Sequence, residues 1–93
     1  MSVKIMGLVW DCTKDDLNRM EKYVLLAYAD HAEHDGTSIY PAIATIAKKT
    51  LYEERAVQTI TKSLELKGFL VKDGKGIHGT NKWRIPLDAG GAR

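Results

Sequence analysis

Helical periodicity fills the first two-thirds of this chain, strand alternation fills its last third, and glycine-rich spacing separates the two strand segments. Together these predict an α+β fold in which three helices are followed by a small antiparallel sheet. The length of 93 residues allows one domain. A chain of this size buries roughly 60–65% of the surface exposed by its unfolded form, enough for one modest core. No internal repeat or low-complexity run interrupts the sequence.

The lead-in Val3 to Trp10 is apolar, and residues 1–12 are expected to form an N-terminal arm, extended and packed on the domain or on a second copy. Thr13 is placed to cap the first helix, with Asp15 and Asp16 in the first turn, where negative charge suits the helix dipole. Leu17, Met20, Val24, Ala27 and His31 recur at helical spacing, and Gly36 supplies the stop. Thr37 to Tyr40 has room for one short strand. Pro41 favours the opening turn of a second helix, whose buried face is Ile43, Ile46 and Ala47 and which closes at Lys48-Lys49-Thr50. Thr50-Leu51-Tyr52-Glu53 matches a capping box for a third helix that runs to Lys67, with Gly68 beyond its end. Phe69-Leu70-Val71 and Trp83-Arg84-Ile85 are the strands, and alternation turns Trp83 and Ile85 inward and Lys82 and Arg84 outward. Residues 13–87 make the domain, and 88–93 form a frayed tail or a linker.

On the third helix, a rotation of ~100° per residue separates two stripes. Val57, Ile60 and Leu64 face the core, and Arg55, Gln58, Thr59 and Lys62 face outward. Leu66 falls on the outer side and is expected to fold under Phe69. The outer groups suit DNA. Arginine bonds guanine through two donors, glutamine bonds adenine, threonine meets a base edge or a thymine methyl, and lysine holds phosphate. A polar face by itself needs no partner beyond water. What singles this one out is the charged hairpin that follows it. Glu53 and Glu54 open the helix. Capping explains Glu53, whereas Glu54 can accept from a cytosine amino group.

Net charge is only +2, but it is unevenly spread. Residues 1–46 carry 4 Lys/Arg against 7 Asp/Glu, whereas residues 47–87 carry 9 against 4. The basic half ends in the hairpin, where Gly74, Gly76 and Gly79 let the backbone bend and approach another surface. Lys75, His78, Asn81, Lys82 and, at the strand's base, Arg84 are the expected contacts to a polyanion, with Lys48 and Lys49 adding phosphate contacts from the second helix.

Other chemistries find little support. The single Cys12 rules out an intrachain disulfide and a two-cysteine metal motif, and it has no base or orienting partner in sequence. His31, His34 and Asp35 lie at a helix end, where histidine is favourable without a metal. No phosphate-loop or dinucleotide fingerprint occurs, and the acidic pairs 15–16 and 53–54 sit where helix starts explain them. The start of the chain is too soon interrupted by charge for a signal peptide or a membrane span. The expectation is a cytoplasmic binding protein with no cofactor, no metal and no catalytic residues.

These residues resemble a known family. Val24-Leu25-Leu26-Ala27-Tyr28-Ala29-Asp30, Asp35-Gly36-Thr37, Tyr40-Pro41, Ile46-Ala47-Lys48-Lys49-Thr50, Ala56-Val57-Gln58, Leu64 to Leu70 and Thr80-Asn81-Lys82-Trp83 look like the winged helix-turn-helix domain of phage and plasmid replication initiators of the replication protein O type. The lead-in ending Val9-Trp10-Asp11 is similar to phage members, so the resemblance covers about residues 1–87. Three positions depart from the pattern: Ala42 and Glu53 stand where serine caps are common, and Leu51 stands where the turn often has glycine. The resemblance implies that the glycine-rich hairpin is the wing and that the module binds origin or operator double-stranded DNA, alone, as a homodimer or with replication partner proteins. Within 93 residues no second domain that recruits helicase or primase is expected, and the glycine-containing tail suggests either a free-standing small regulator or an excised binding domain. Two alternatives stay open: a small transcriptional regulator of the same fold, and a winged-helix protein-interaction module using the apolar arm.

Overall fold

The computed structural model describes residues 3–77 and 79–88. Four helices precede a hairpin: α1 (Val3–Trp10), α2 (Arg19–Ala29), α3 (Ile43–Thr50), α4 (Glu54–Leu66), β1 (Val71–Lys75) and β2 (Asn81–Arg84). The strands pair antiparallel, with Val71 opposite Arg84, Lys72 opposite Trp83 and Lys75 opposite Asn81, and a register shift between Lys72 and Lys75. Ile39 bridges to Trp83, so the segment before α3 lies along the outer edge of β2.

The expected extended arm is a helix. Its six apolar residues give little periodic contrast, but Ile5 and Val9, four apart, are both buried against the core. Lys22 closes its end by donating to the carbonyls of Trp10 (2.7 Å) and Cys12 (2.9 Å), while its ammonium lies 5.6 Å from the Trp10 ring centroid. The domain therefore has four helices rather than three.

Thr13 does not open the next helix. It closes a separate turn, accepting at its carbonyl from the amides of Asp16 and Leu17. The cap of α2 is Asn18, whose side chain accepts from the Glu21 amide at 2.8 Å while Glu21 accepts from the Asn18 amide at 2.9 Å. The buried face is consequently Val24, Leu25, Tyr28 and Ala29, and Met20 is exposed. The helix ends at Asp30, before Gly36.

Pro41 precedes the cap of α3, which is Ala42 without a side-chain bond. Ile46 and Ala47 are buried as expected, and Ile43 is half-buried. The anticipated capping box at Thr50 does not form. Thr50 is the last residue of α3, and its hydroxyl donates back to the Ile46 carbonyl at 2.8 Å. Leu51, at φ +64°, makes the reversal, and Glu53 caps α4 by backbone geometry alone. The Tyr52 ring stands edge-on against Tyr23, centroids 5.9 Å apart, and fixes the three-residue turn to α2. Gly68 ends α4 at φ +84°.

Val57, Ile60 and Leu64 are buried, as their spacing requires. The Tyr28 hydroxyl, deep in the core, shares a 2.9 Å hydrogen bond with Thr61, so α2 and α4 meet through a satisfied polar pair as well as apolar packing. Phe69, Leu70, Trp83 and Ile85 complete the core. Leu66 does not fold under Phe69; it is 81% exposed. The arrangement is the α+β winged helix-turn-helix that the sequence predicts, with α3 and α4 as its paired helices, β1–β2 as its wing and α1 added in front.

Candidate nucleic-acid interface

Helix α4 presents Arg55, Gln58, Thr59 and Lys62 to solvent, opposite its core stripe. Leu66 continues that outer line at its C-terminal end. The Thr59 hydroxyl donates to the Arg55 carbonyl at 3.1 Å, which leaves its oxygen free to accept. Glu54 is exposed in the first turn, where it complements the helix dipole.

A cleft of about 450 Å³ lies between α4, the start of α3 and the wing. Gln58, Lys62 and Glu65 line it from α4, Ala42 and Ile43 from α3, and Lys72 and Asn81 from the wing. Three expected site residues, Gln58, Lys62 and Asn81, therefore share one concave surface. Lys72, on the same surface, is absent from the expected set; its place opposite Trp83 in the ladder puts it beside the cleft. Glu65 brings the opposing charge, one helical turn from Lys62.

Lys75 donates to the Asn81 side-chain oxygen at 3.1 Å, so this pair crosses the wing and leaves the Asn81 amino group available. Lys82 is half-buried and Arg84 exposed. His78 lies outside the described residues. Lys48 is exposed in the last turn of α3. Lys49 is already engaged: its ammonium lies 2.7 Å from the Asp30 carboxylate, and this bond holds Asp30 below the usual carboxylate range. Binding phosphate through Lys49 would compete with that pair, and sequence gives no sign of it because the partners are 19 residues apart.

Of the hairpin glycines expected to approach another surface, only Gly76 makes a close approach among the described residues, and it does so within the domain; a Cβ at Gly74 or Gly79 would meet nothing within 4 Å. Gly76 sits against Tyr40: a Cβ there would lie 2.6 Å from the Tyr40 Cβ and 2.9 Å from Cγ. Its amide donates to the Thr80 carbonyl at 2.8 Å, and the Thr80 hydroxyl donates to the Tyr40 carbonyl at 2.7 Å. The wing is thus braced against the residue that leads into Pro41 and α3. Gly76→Ala should displace this brace, lowering stability by about 1–2 kcal/mol and speeding hydrogen exchange at the Gly76 amide. An unchanged melting temperature with unchanged exchange would mean that Tyr40 yields without cost.

Among the described residues, no three of His, Cys, Asp and Glu stand close enough to hold a metal ion, and no helix is long and apolar enough to cross a membrane. Neither the curated proteins nor the solved structures give a match to the chain. Residues 15–70, which run from before α2 to the residue preceding β1, do match a family model. That span is more than half of the sequence and contains α2, α3, the turn and α4, and on it the protein belongs to the helix-turn-helix domain family.

Proposed function

We propose that this protein binds double-stranded DNA sequence-specifically, with α4 in the major groove and the wing on the adjoining backbone. One observation carries the reading: two groups of the outer face of α4, Gln58 and Lys62, and two of the wing, Lys72 and Asn81, line a single cleft, with Arg55 and Thr59 exposed on the same helix face beyond it. Arg55, Gln58 and Thr59 are the base-reading groups, with Glu54 at the helix start. Lys48, Lys62, Lys75, His78, Lys82 and Arg84 hold phosphates, and Lys49 joins them where it can leave Asp30. The role is that of a binding module rather than an enzyme, and the sequence resemblance favours the DNA-binding domain of a phage or plasmid replication initiator.

The test is fluorescence anisotropy of labelled duplexes at several salt concentrations, using random sequence and the DNA flanking the chain's own coding region. Arg55→Ala should cost about 1–3 kcal/mol on the preferred duplex and relax preference at one position, whereas Lys75→Ala should weaken all duplexes alike and reduce the salt slope by about 1. Equal effects of both substitutions on every duplex would remove the reading role from Arg55. Preference for an origin fragment supports the replication role, and preference for a promoter-proximal operator supports the regulator. Absence of binding at low salt would end the DNA reading and turn attention to the exposed apolar side chains Met20, Tyr23 and Leu51.

A further inference from the structure

Helix α1 is apolar on two opposite sides, and the domain uses only one of them. Ile5 and Val9 face the core. At ~100° per residue, Val3, Gly7 and Trp10 fall on the far side, with Met6 on its shoulder. Val3 is 77% and Trp10 62% exposed. Lys22 holds the Trp10 end of the helix, so the ring is presented by a fixed support. A helix that is apolar all round belongs in an interior. Because α1 lies outside the residues that the family model matches, the helix-turn-helix core does not account for this outer side.

The outer side also carries residues that do not suit the chain alone. Gly7 stands in mid-helix, where glycine is a poor helix former. A Cβ there would meet nothing within 4 Å, so packing inside the domain does not require a glycine. Lys4 lies in the first turn and Asp11 just past the last, each of the wrong sign for the helix dipole. Both are exposed, and among the described residues neither has an ion-pair partner.

A twofold axis beside Gly7 accounts for all of these features. Set antiparallel against a copy of itself, α1 places Trp10 over Val3 of the second copy, and the reverse at the other end. Large meets small at both ends. The two glycines meet at the centre, where the missing side chains let the backbones approach closely. The Asp11 amide donates to the Gly7 carbonyl at 3.1 Å, so Asp11 continues the helical turn and lies on the same edge of the outer side as Lys4, seven residues earlier. In an antiparallel pair that edge faces its own counterpart, so each Lys4 comes beside the Asp11 of the other copy. A charge that opposes its own helix dipole thus gains an opposite charge across the interface.

We infer that α1 is a self-association helix, through which the protein forms a twofold dimer built on Val3, Gly7 and Trp10 and flanked by reciprocal Lys4–Asp11 pairs. The self-matching of size and charge is what selects a second copy as the occupant. The inference is independent of DNA binding. Two short helices bury less than the standard interface of about 1,600 Å², so the dimer should be weak, with half-association at about 10–100 µM.

The experiment is sedimentation equilibrium of the whole chain from about 1 µM to about 1 mM, a range that brackets such an affinity. Tryptophan emission is followed in parallel. Trp83 is already buried, so a shift to shorter wavelength on concentration reports Trp10. Gly7→Gln should weaken association by about tenfold or more, because the added side chain holds the helices apart. It should not lower the melting temperature of the dilute protein, because glutamine favours helix and its Cβ has room. Lys4→Asp and Asp11→Lys should each weaken the dimer about three- to tenfold, although each improves the match to the helix dipole. The two together should restore it. A chain that stays monomeric over the whole range would overturn the inference. So would a Gly7→Gln dimer as tight as wild type, which would place association on another face. A double charge variant no tighter than either single one would overturn the antiparallel pairing.

Discussion

Gly36→Ala should lower the melting temperature by roughly 12–24 °C, the change expected for about 3 kcal/mol in a domain of this size. Gly36 has φ +85°, and a Cβ there would lie 2.2 Å from the Ile85 carbonyl oxygen. That oxygen is backbone and cannot swing aside as a side chain would. Two hydrogen bonds hold the residue in place: its amide donates to Glu33 at 2.9 Å, and its carbonyl accepts from the Ile85 amide at 2.8 Å. A left-handed alanine costs about 1–2 kcal/mol, and forcing the neighbouring strand outward adds a similar amount. Gly68→Ala is the control, because Gly68 has φ +84° with nothing within 4 Å of the added Cβ. It should cost only the conformational part, about 1–2 kcal/mol or roughly 4–16 °C. Equal losses at both positions would show that the Ile85 contact relaxes freely. The consequence reaches the candidate interface, because Gly36 ties the segment before α3 to the end of β2, one residue beyond the wing.

The outer face of α4 was legible because contrast along that helix is strong: Val57, Ile60 and Leu64 alternate with charged and amide groups at one period. The inward turn of Trp83 and Ile85 followed from alternation in the same way. The helix starts were harder, because several residues can cap. Thr13 and Asp16 form a local turn, while Asn18 and Glu21 cap α2 a few residues later. At Thr50 the hydroxyl bonds backward into α3, so the sequence pattern of a capping box describes the end of one helix rather than the start of the next. Helix α1 was hidden because a short, nearly all-apolar segment has no periodic contrast, and its form depends on burial of Ile5 and Val9 and on Lys22 from α2. At the interface, residue types were readable but pairings were not. Lys49 with Asp30 and Gly76 with Tyr40 are contacts between distant segments, and they decide which lysine is free and whether the wing is braced.

Glu21→Ala should cost about 2–3 kcal/mol, because it removes a cap and two tertiary hydrogen bonds together. Glu21 is 3% exposed, yet every role of its carboxylate is filled. It accepts from the Asn18 amide at 2.9 Å, from Lys67 at 2.7 Å and from the Ser63 hydroxyl. Ser63 and Lys67 lie at the C-terminal end of α4, so this carboxylate fixes the start of α2 to the helix proposed to read DNA. Burial pushes its carboxyl up, but the bonds from Lys67, Ser63 and Asn18 together outweigh that and hold it below the ordinary glutamate value. A lowered folded-state pKa gives stability that is complete above the unfolded value, about 4.3, and is lost as pH falls through the folded one. Acid should therefore loosen the α2–α4 junction below that point. Glu21→Gln keeps a side-chain acceptor for the cap but removes the charge. It should cost about half as much as alanine and flatten the fall in stability under acid, measured by urea unfolding between neutral and acid pH. A glutamine variant whose stability still falls as steeply as wild type would place the acid sensitivity in other carboxylates, of which the Asp30–Lys49 pair is the next to test.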